Sequence, residues 1–403
     1  MLRRTSNHTV PINTLFTSSR ILLLALVLVC FSSFISVVWV HTNAFEKSSV
    51  RLARSDDGAA AANAEAKFHN SWPKLKEVLC PEMKPNIHFG SQIFDLARNE
   101  LRMRPLDDAQ ASSRMAEAVE TSHAKAFTWS PGGWAFDPGE GGESMPAANI
   151  TLYLSIFKCG NNQIKEFAIE RLKGRGRFTK NVNLQPLFDK ISRISTEGDS
   201  LKNICVVTAI RDPIERFLSG YNEIEWRAQM EPGRLNSSNP LLFARYQGGT
   251  KARFEQFVAD YVTGPDRSGW NWYPMEFGHV WSMSGVLSRL DREGGKMTAY
   301  LPSLDNLAHK WPAFLVDTCP GIPSDIAETP MALAGQHESS SDPFGYYAAA
   351  KGVWDDRGNT ARAICALNVM DYACWDRLAV PLLCREVFSS DSFAKAITSR
   401  SMI

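Results

Sequence analysis

Two short stretches fix most of what this chain can become. One is "ICVVTAIRDPIERFLSGY", Ile204 to Tyr221. Its first seven residues are almost entirely apolar and partly β-branched, and Arg-Asp-Pro follows at once. A short continuous apolar run closed by a turn reads as a strand buried on both faces. Asp212 is suited to N-cap a helix, Pro213 to occupy its first position, and Glu215 to complete a capping-box arrangement. Ile214, Phe217, Leu218 and Tyr221 then recur at i, i+3, i+4 and i+7, the buried stripe of that helix.

The other stretch repeats the pattern. A strand over Ile150–Ile156 runs into the loop "FKCGNN" and the amphipathic helix "QIKEFAIERL". Farther on, "FEQFVADYV", "SLDNLAHKWPAFL" and "NTARAICALNVMDYACW" read as helices. Alternating strands and helices predict an α/β fold. The expected architecture is a P-loop-like parallel sheet flanked by helices, with a mostly helical C-terminal part. Sheets of this kind bind ligands beyond the carboxyl ends of their strands, where both turns sit. "SPGGWAFDPGEGGESMP", Ser130 to Pro146, reads as a Gly/Pro-rich loop.

The N-terminus bounds the compartment. Ile21 to Val40 carries no charge and is long enough to cross a bilayer, with Arg3, Arg4 and Arg20 before it and no acid. A cleaved signal peptide is the ordinary alternative, but the run exceeds a usual h-region and no clear small-x-small site comes after it. The basic flank puts the rest of the chain on the far side of the membrane. The expected organisation is a cytoplasmic tail over 1–20, an anchor over 21–40, a flexible stem over 41–75 and a luminal domain over 76–403. The stem assignment rests on "RSDDGAAAANAEAK", which is small, polar and low in complexity. Of eight cysteines, Cys30 lies in the anchor run, which leaves seven for an oxidising lumen and at least one unpaired within the chain. Asn149 and Asn236 begin glycosylation sequons on the predicted luminal side. No cysteine or histidine spacing suits zinc, so no metal is expected. A net charge of +1 argues against a nucleic-acid partner.

The turn chemistry points to an anion. After the first strand, Gly160 allows a tight turn, and the helix after it offers free N–H groups and a partial positive charge. Lys158 adds a mobile charge there. Asn161 and Asn162 can cap the helix or donate to phosphate oxygens, and Lys165 lies one turn in. An ordinary strand-to-helix turn with a surface lysine would look the same. The second glycine and the hydroxyl of a Walker loop are missing, which disfavours phosphoryl transfer. After the other strand, Arg211 stands at the sheet edge with Ser219 two turns along the helix, a pair that suits a phosphate monoester. Arg211 could equally pair with Asp212 or Glu215.

Together the two turns resemble the Golgi membrane-anchored carbohydrate sulfotransferases, which use 3′-phosphoadenosine 5′-phosphosulfate (PAPS). "FKCGNNQIK" is similar to that family's PKxxSTxWK element, and "RDPIERFLSGY" to its R[DN]PxxRxxSxY element. The resemblance covers roughly residues 150 to 390 and implies the sulfotransferase fold and transfer of a sulfuryl group to a glycan hydroxyl. It implies that Lys158 contacts the phosphosulfate, with Gly160, Asn161, Asn162 and Lys165 completing the 5′ pocket. It implies that Arg211 and Ser219 hold the 3′-phosphate. "ICALNVMDYACWDRLAVPLLC" resembles the family's C-terminal segment and implies a Cys374–Cys384 bridge.

This chain departs from the family in two places. Its Ser/Thr pair is Asn161-Asn162 here. The histidine that relatives carry between the two turns is absent from "NVNLQPLFDK", where Asn183 occupies the corresponding place. Candidate bases are Glu223, which can also bridge to Arg227, and His279, which can also be a buried structural residue. These departures keep a second reading open, a non-catalytic luminal protein that binds nucleotide or glycan. The aromatic stretch "SGWNWYPMEFGHVW" would suit the wall of an acceptor groove or a core.

Overall fold

Alternation along the apolar runs decides how the sheet is covered. Five strands, β1 (Gly133–Asp137), β2 (Ile150–Tyr153), β3 (Arg177–Val182), β4 (Ile204–Ala209) and β5 (Ala299–Leu301), form one sheet in the order β3-β1-β2-β4-β5. Successive side chains leave a strand on opposite faces. Ala135, Leu152, Val206 and Tyr300 therefore enter one core, and Trp134, Tyr153, Val207 and Leu301 enter another. The computed structural model describes residues 56–103, 125–128, 132–138, 150–182, 204–230, 248–263, 277–332 and 341–398. The apolar run Ile21–Val40 and the sequons at Asn149 and Asn236 lie outside these. No described helix is long and apolar enough to cross a membrane.

The fold class is the expected mixed α/β one. Strands β2, β4 and β5 run parallel, but β1 is antiparallel to both β2 and β3, so the sheet is mixed rather than purely parallel. β1 lies inside the stretch expected to be a loop. Trp134 and Phe136 are both buried on the smaller core, and that burial with pairing on two sides outweighs the flanking glycines and prolines. Gly133 is required where it stands, because a Cβ there would lie 1.6 Å from the Tyr153 carbonyl oxygen.

The chain divides into an N-terminal unit, Met1–Ala64, and a main unit, Glu65–Ile403. Helix α1 (Asp56–Leu79) begins within the segment expected to be a flexible stem. Its alanines are the strongest helix formers, and Phe68, Leu75 and Leu79 are buried in the main unit's larger core. Helices α2 (Gly90–Glu100), α3 (Asn161–Arg171), α4 (Pro213–Met230), α5 (Lys251–Thr263), α6 (Gly285–Arg292) and α7 (Leu307–Thr318) come next. Buried residues of α3 and α7 line the smaller core, and those of α2, α4, α5 and α6 the larger. The C-terminal part is helical, as expected: α8 (Tyr346–Asp355), α9 (Asn359–Leu367), α10 (Val369–Cys374), α11 (Leu382–Phe388) and α12 (Asp391–Thr398). The break between α9 and α10 falls at Asn368, whose side chain donates back to the Ile364 carbonyl at 2.8 Å.

Three disulfides staple the main unit: Cys80–Cys374, Cys205–Cys319 and Cys365–Cys384. The Cys374–Cys384 bridge implied by the family resemblance is therefore not formed. Cys374 closes α10 with its Cα 5.2 Å from that of Cys80, just past α1. Cys384, on α11, has its Cα 5.0 Å from that of Cys365, on α9. Cys159 is the free cysteine among the described residues, and it is buried.

Candidate functional site

Because β2 and β4 are adjacent and parallel, the turns after them leave the same edge of the sheet side by side. The Leu154 N–H donates to the Val207 carbonyl at 2.9 Å, and Thr208 Oγ1 donates to the Leu154 carbonyl at 2.6 Å, which locks the two exits together. Beyond them lies Cys159. Its sulfur is 3.8 Å from Met283 Sδ and takes a hydrogen bond from the backbone of Arg211. Burial pushes its thiol up to about 11, so it stays protonated and unreactive, a plug between the two turns.

The Lys158 turn is shaped by left-handed backbone. Lys158 has φ 64° and Gly160 φ 71°. Such a conformation costs a non-glycine residue energy, and strain of this kind collects where a ligand is held. Gly160 is the N-cap of α3, and a Cβ there would lie 2.5 Å from Leu307 Cδ2. The asparagines do not cap the helix, contrary to expectation. The cap position has no side-chain oxygen, and Asn161 and Asn162 are already the first helical residues. The first turn of α3 thus has no side-chain cap, the arrangement that favours an anion at a helix N-terminus. The Asn161 amide oxygen is buried without a protein partner, and turning the amide over would place its NH₂ there as a donor.

Across from this turn, α4 starts as the sequence predicts. Asp212 Oδ1 accepts the Glu215 N–H at 2.9 Å, although the Glu215 carboxylate goes to Tyr347 and Arg211 instead of returning to the cap. Arg211 Nη2 lies 3.6 Å from Glu215 Oε2 and remains about one third exposed. Ser219 is half-buried on α4 and Asn162 is exposed on α3. Lys165 is half-buried on the second turn of α3.

Lys158 and Glu223 meet directly. Lys158 Nζ is 2.8 Å from Glu223 Oε2, and Arg227 Nε is 2.6 Å from Glu223 Oε1. The bridge to Arg227 was foreseeable from helix spacing, but the bond to Lys158 was not, because 65 residues separate the partners. Two cations share one carboxylate, which leaves the spot net positive with Arg211 near enough to act on it. Burial pushes the Lys158 ammonium down and Glu223 opposes that shift.

His279 completes the group from behind. Its ring stacks on Phe157 at 4.4 Å and 18° and is buried. Burial, then the Lys158 charge, holds it well below the ordinary imidazole value. It is therefore neutral at pH 7. The turn that carries it presses on α4 at Gly220, where a Cβ would lie 2.2 Å from the His279 carbonyl oxygen. Arg216 holds these parts in register. It is 2% exposed, and its guanidinium donates to the carbonyls of Phe157 at 3.0 Å, Gly278 at 3.0 Å and Trp281.

A depressed histidine makes stability depend on pH in a definite sense. The unfolded chain binds a proton at His279 below about 6.5, and the folded chain does so only at lower pH. Stability from this group is thus fully present above about 6.5 and falls as pH drops below it. Denaturant unfolding of wild type and His279→Asn between pH 7.5 and 5 should show the wild type losing more stability over that range. Parallel curves would mean that the folded protein accommodates a charged His279.

The aromatic stretch divides. Phe277 and Trp281 are buried in the core, whereas Trp270, Trp272 and Tyr273 lie outside the described residues. So does Asn183.

Residues 149–313 match a family described as "Sulfotransferase family". The matched segment holds both turns and β2 to β5 but is less than half of the 403-residue chain. It supports sulfuryl transfer as the general chemistry of the site, and a sulfonate donor with an acceptor substrate as its requirements. No curated protein and no solved structure shows a significant match.

Proposed function

We propose that the chain transfers a sulfuryl group from PAPS to a hydroxyl of a carbohydrate acceptor. The observation that carries this reading is the meeting of the Lys158 turn and the Arg211 helix start at the shared edge of β2 and β4. A nucleotide with a phosphosulfate on one side of its ribose and a phosphate on the other needs two separated anion sites. The strained turn at the head of α3 supplies one, and the head of α4 supplies the other.

In the reaction, the acceptor oxygen bonds to sulfur as the bond from sulfur to the 5′-phosphate oxygen breaks, and the acceptor proton leaves. Lys158 neutralises charge on the departing phosphate. Glu223, already bonded to Lys158, takes the proton. His279 is neutral and stacked on Phe157, and it supports the loop that carries Lys158. Arg211, with Ser219 farther along α4, holds the 3′-phosphate. The glycan acceptor rests on the family resemblance of the two turns. So does the setting, a luminal Golgi enzyme with a single N-terminal type II anchor at Ile21–Val40, and the three disulfides support an oxidising compartment for the main unit.

Incubating the protein with sulfur-labelled PAPS and a panel of polysaccharides tests the reading. Label is expected on a glycan. Arg211→Ala should weaken binding of adenosine 3′,5′-bisphosphate by about tenfold or more, the worth of a charge-assisted contact. Binding of adenosine 5′-monophosphate should hardly change. Tight nucleotide binding with no transfer to any acceptor would favour the binding-protein reading, for which the missing hydroxyls at Asn161 and Asn162 speak. Equal losses for both nucleotides would remove the role given to Arg211.

A further inference from the structure

The matched segment ends at residue 313, yet two residues beyond it reach into the site from α10. Tyr372 Oη donates to Asp212 Oδ2 at 3.1 Å. Asp212 is the residue next to Arg211, and its other oxygen caps α4. One residue earlier, Asp371 is wholly buried. Its carboxylate accepts hydrogen bonds from the Met283 N–H at 3.0 Å, from the Ser284 N–H and hydroxyl at 2.8 Å each, and from the Ser282 hydroxyl. These bonds fasten α10 to the residues directly after the His279 turn. The disulfide from Cys374 to Cys80 anchors the other end of the same helix.

We propose that Tyr372 is a positioning residue for the 3′-phosphate end of the donor site, held in place by Asp371 and the Cys80–Cys374 bridge. A half-buried carboxylate that keeps both of its oxygens bonded has one orientation, and Asp212 so fixed sets the start of α4 and the direction of Arg211. Without the tyrosine hydroxyl, the Asp212 carboxylate loses a side-chain donor in a place where burial already disfavours its charged form. The helix start then has a second arrangement available, and the guanidinium is no longer pre-aimed at the phosphate. The proposal rests on the donor reading above, since it assigns a partner to the residue given to the 3′-phosphate.

The test is the ratio of affinities for adenosine 3′,5′-bisphosphate and adenosine 5′-monophosphate, measured by calorimetry on the disulfide-bonded protein. Tyr372→Phe removes one oxygen and should cut the preference for the bisphosphate by about tenfold, in the range of a lost bond to a charged group. Tyr300→Phe is the matched control, for its hydroxyl donates to Asp376 and does not touch Asp212. It should keep the wild-type ratio even if its melting temperature falls as far. A wild-type ratio in Tyr372→Phe would overturn the proposal while leaving the donor site standing. An equal loss in both variants would also overturn it, by reducing the effect to general loosening. If the wild type binds neither nucleotide, the donor reading fails first and takes this inference with it.

Discussion

Lys158→Ala is expected to lower the rate of sulfuryl transfer by about two to three orders of magnitude, the usual cost of losing one preorganised charge at a developing anion. In the proposed reaction the change removes the cation that neutralises the departing phosphate. It also leaves Glu223, which is 3% exposed, with Arg227 as the other cation on its carboxylate. The two effects separate by measurement. Loss of charge stabilisation appears in kcat with the thermal midpoint near wild type. Loss of support for Glu223 lowers the midpoint as well. A variant that keeps more than about one tenth of wild-type kcat would show that Lys158 does not face the breaking bond.

Arg216→Ala should have the largest effect on stability of any single change near the site. Three main-chain carbonyls lose this donor together, and the residue that supplies it is 2% exposed. Each buried acceptor left unmade costs about 1–3 kcal/mol, so a loss of about 3 kcal/mol or more is expected even with some relaxation. Arg216→Lys should recover only part of it, because one ammonium on a flexible stem cannot reproduce a fork aimed at three oxygens. Denaturant midpoints at constant slope would measure both. A loss below about 1 kcal/mol for the alanine variant would mean that the carbonyls find other donors.

What could be read from the sequence came from local chemistry. β2 and β4 were legible because a buried strand has to be apolar on both faces, and each ended in an unmistakable turn. Lys158, Gly160 and Arg211 could be singled out because turns of this kind suit anions, and the structure places both turns at one edge of the sheet. β1 was hidden, since Trp134 and Phe136 form a strand only by pairing with neighbours distant in the chain, and the surrounding glycines and prolines signal a loop. β3 was hidden too: Arg177, Thr179 and Lys180 are exposed, as an edge strand permits. The parts of the site that escaped are those with remote partners. Nothing near Arg216 announces acceptors at Gly278 and Trp281, and nothing near Asp212 points to Tyr372. Cysteine pairing escaped for a related reason, because connectivity depends on which helices pack together and not on spacing.

The central claim is that the turn after β2 and the helix start after β4 grip one nucleotide between them. A crystal structure of the protein with adenosine 3′,5′-bisphosphate tests this most directly. It should show the 5′-phosphate against the head of α3 within reach of Lys158, and the 3′-phosphate bonded to Arg211. A nucleotide bound elsewhere, or one that reaches Lys158 with its 3′-phosphate left in solvent, would contradict it.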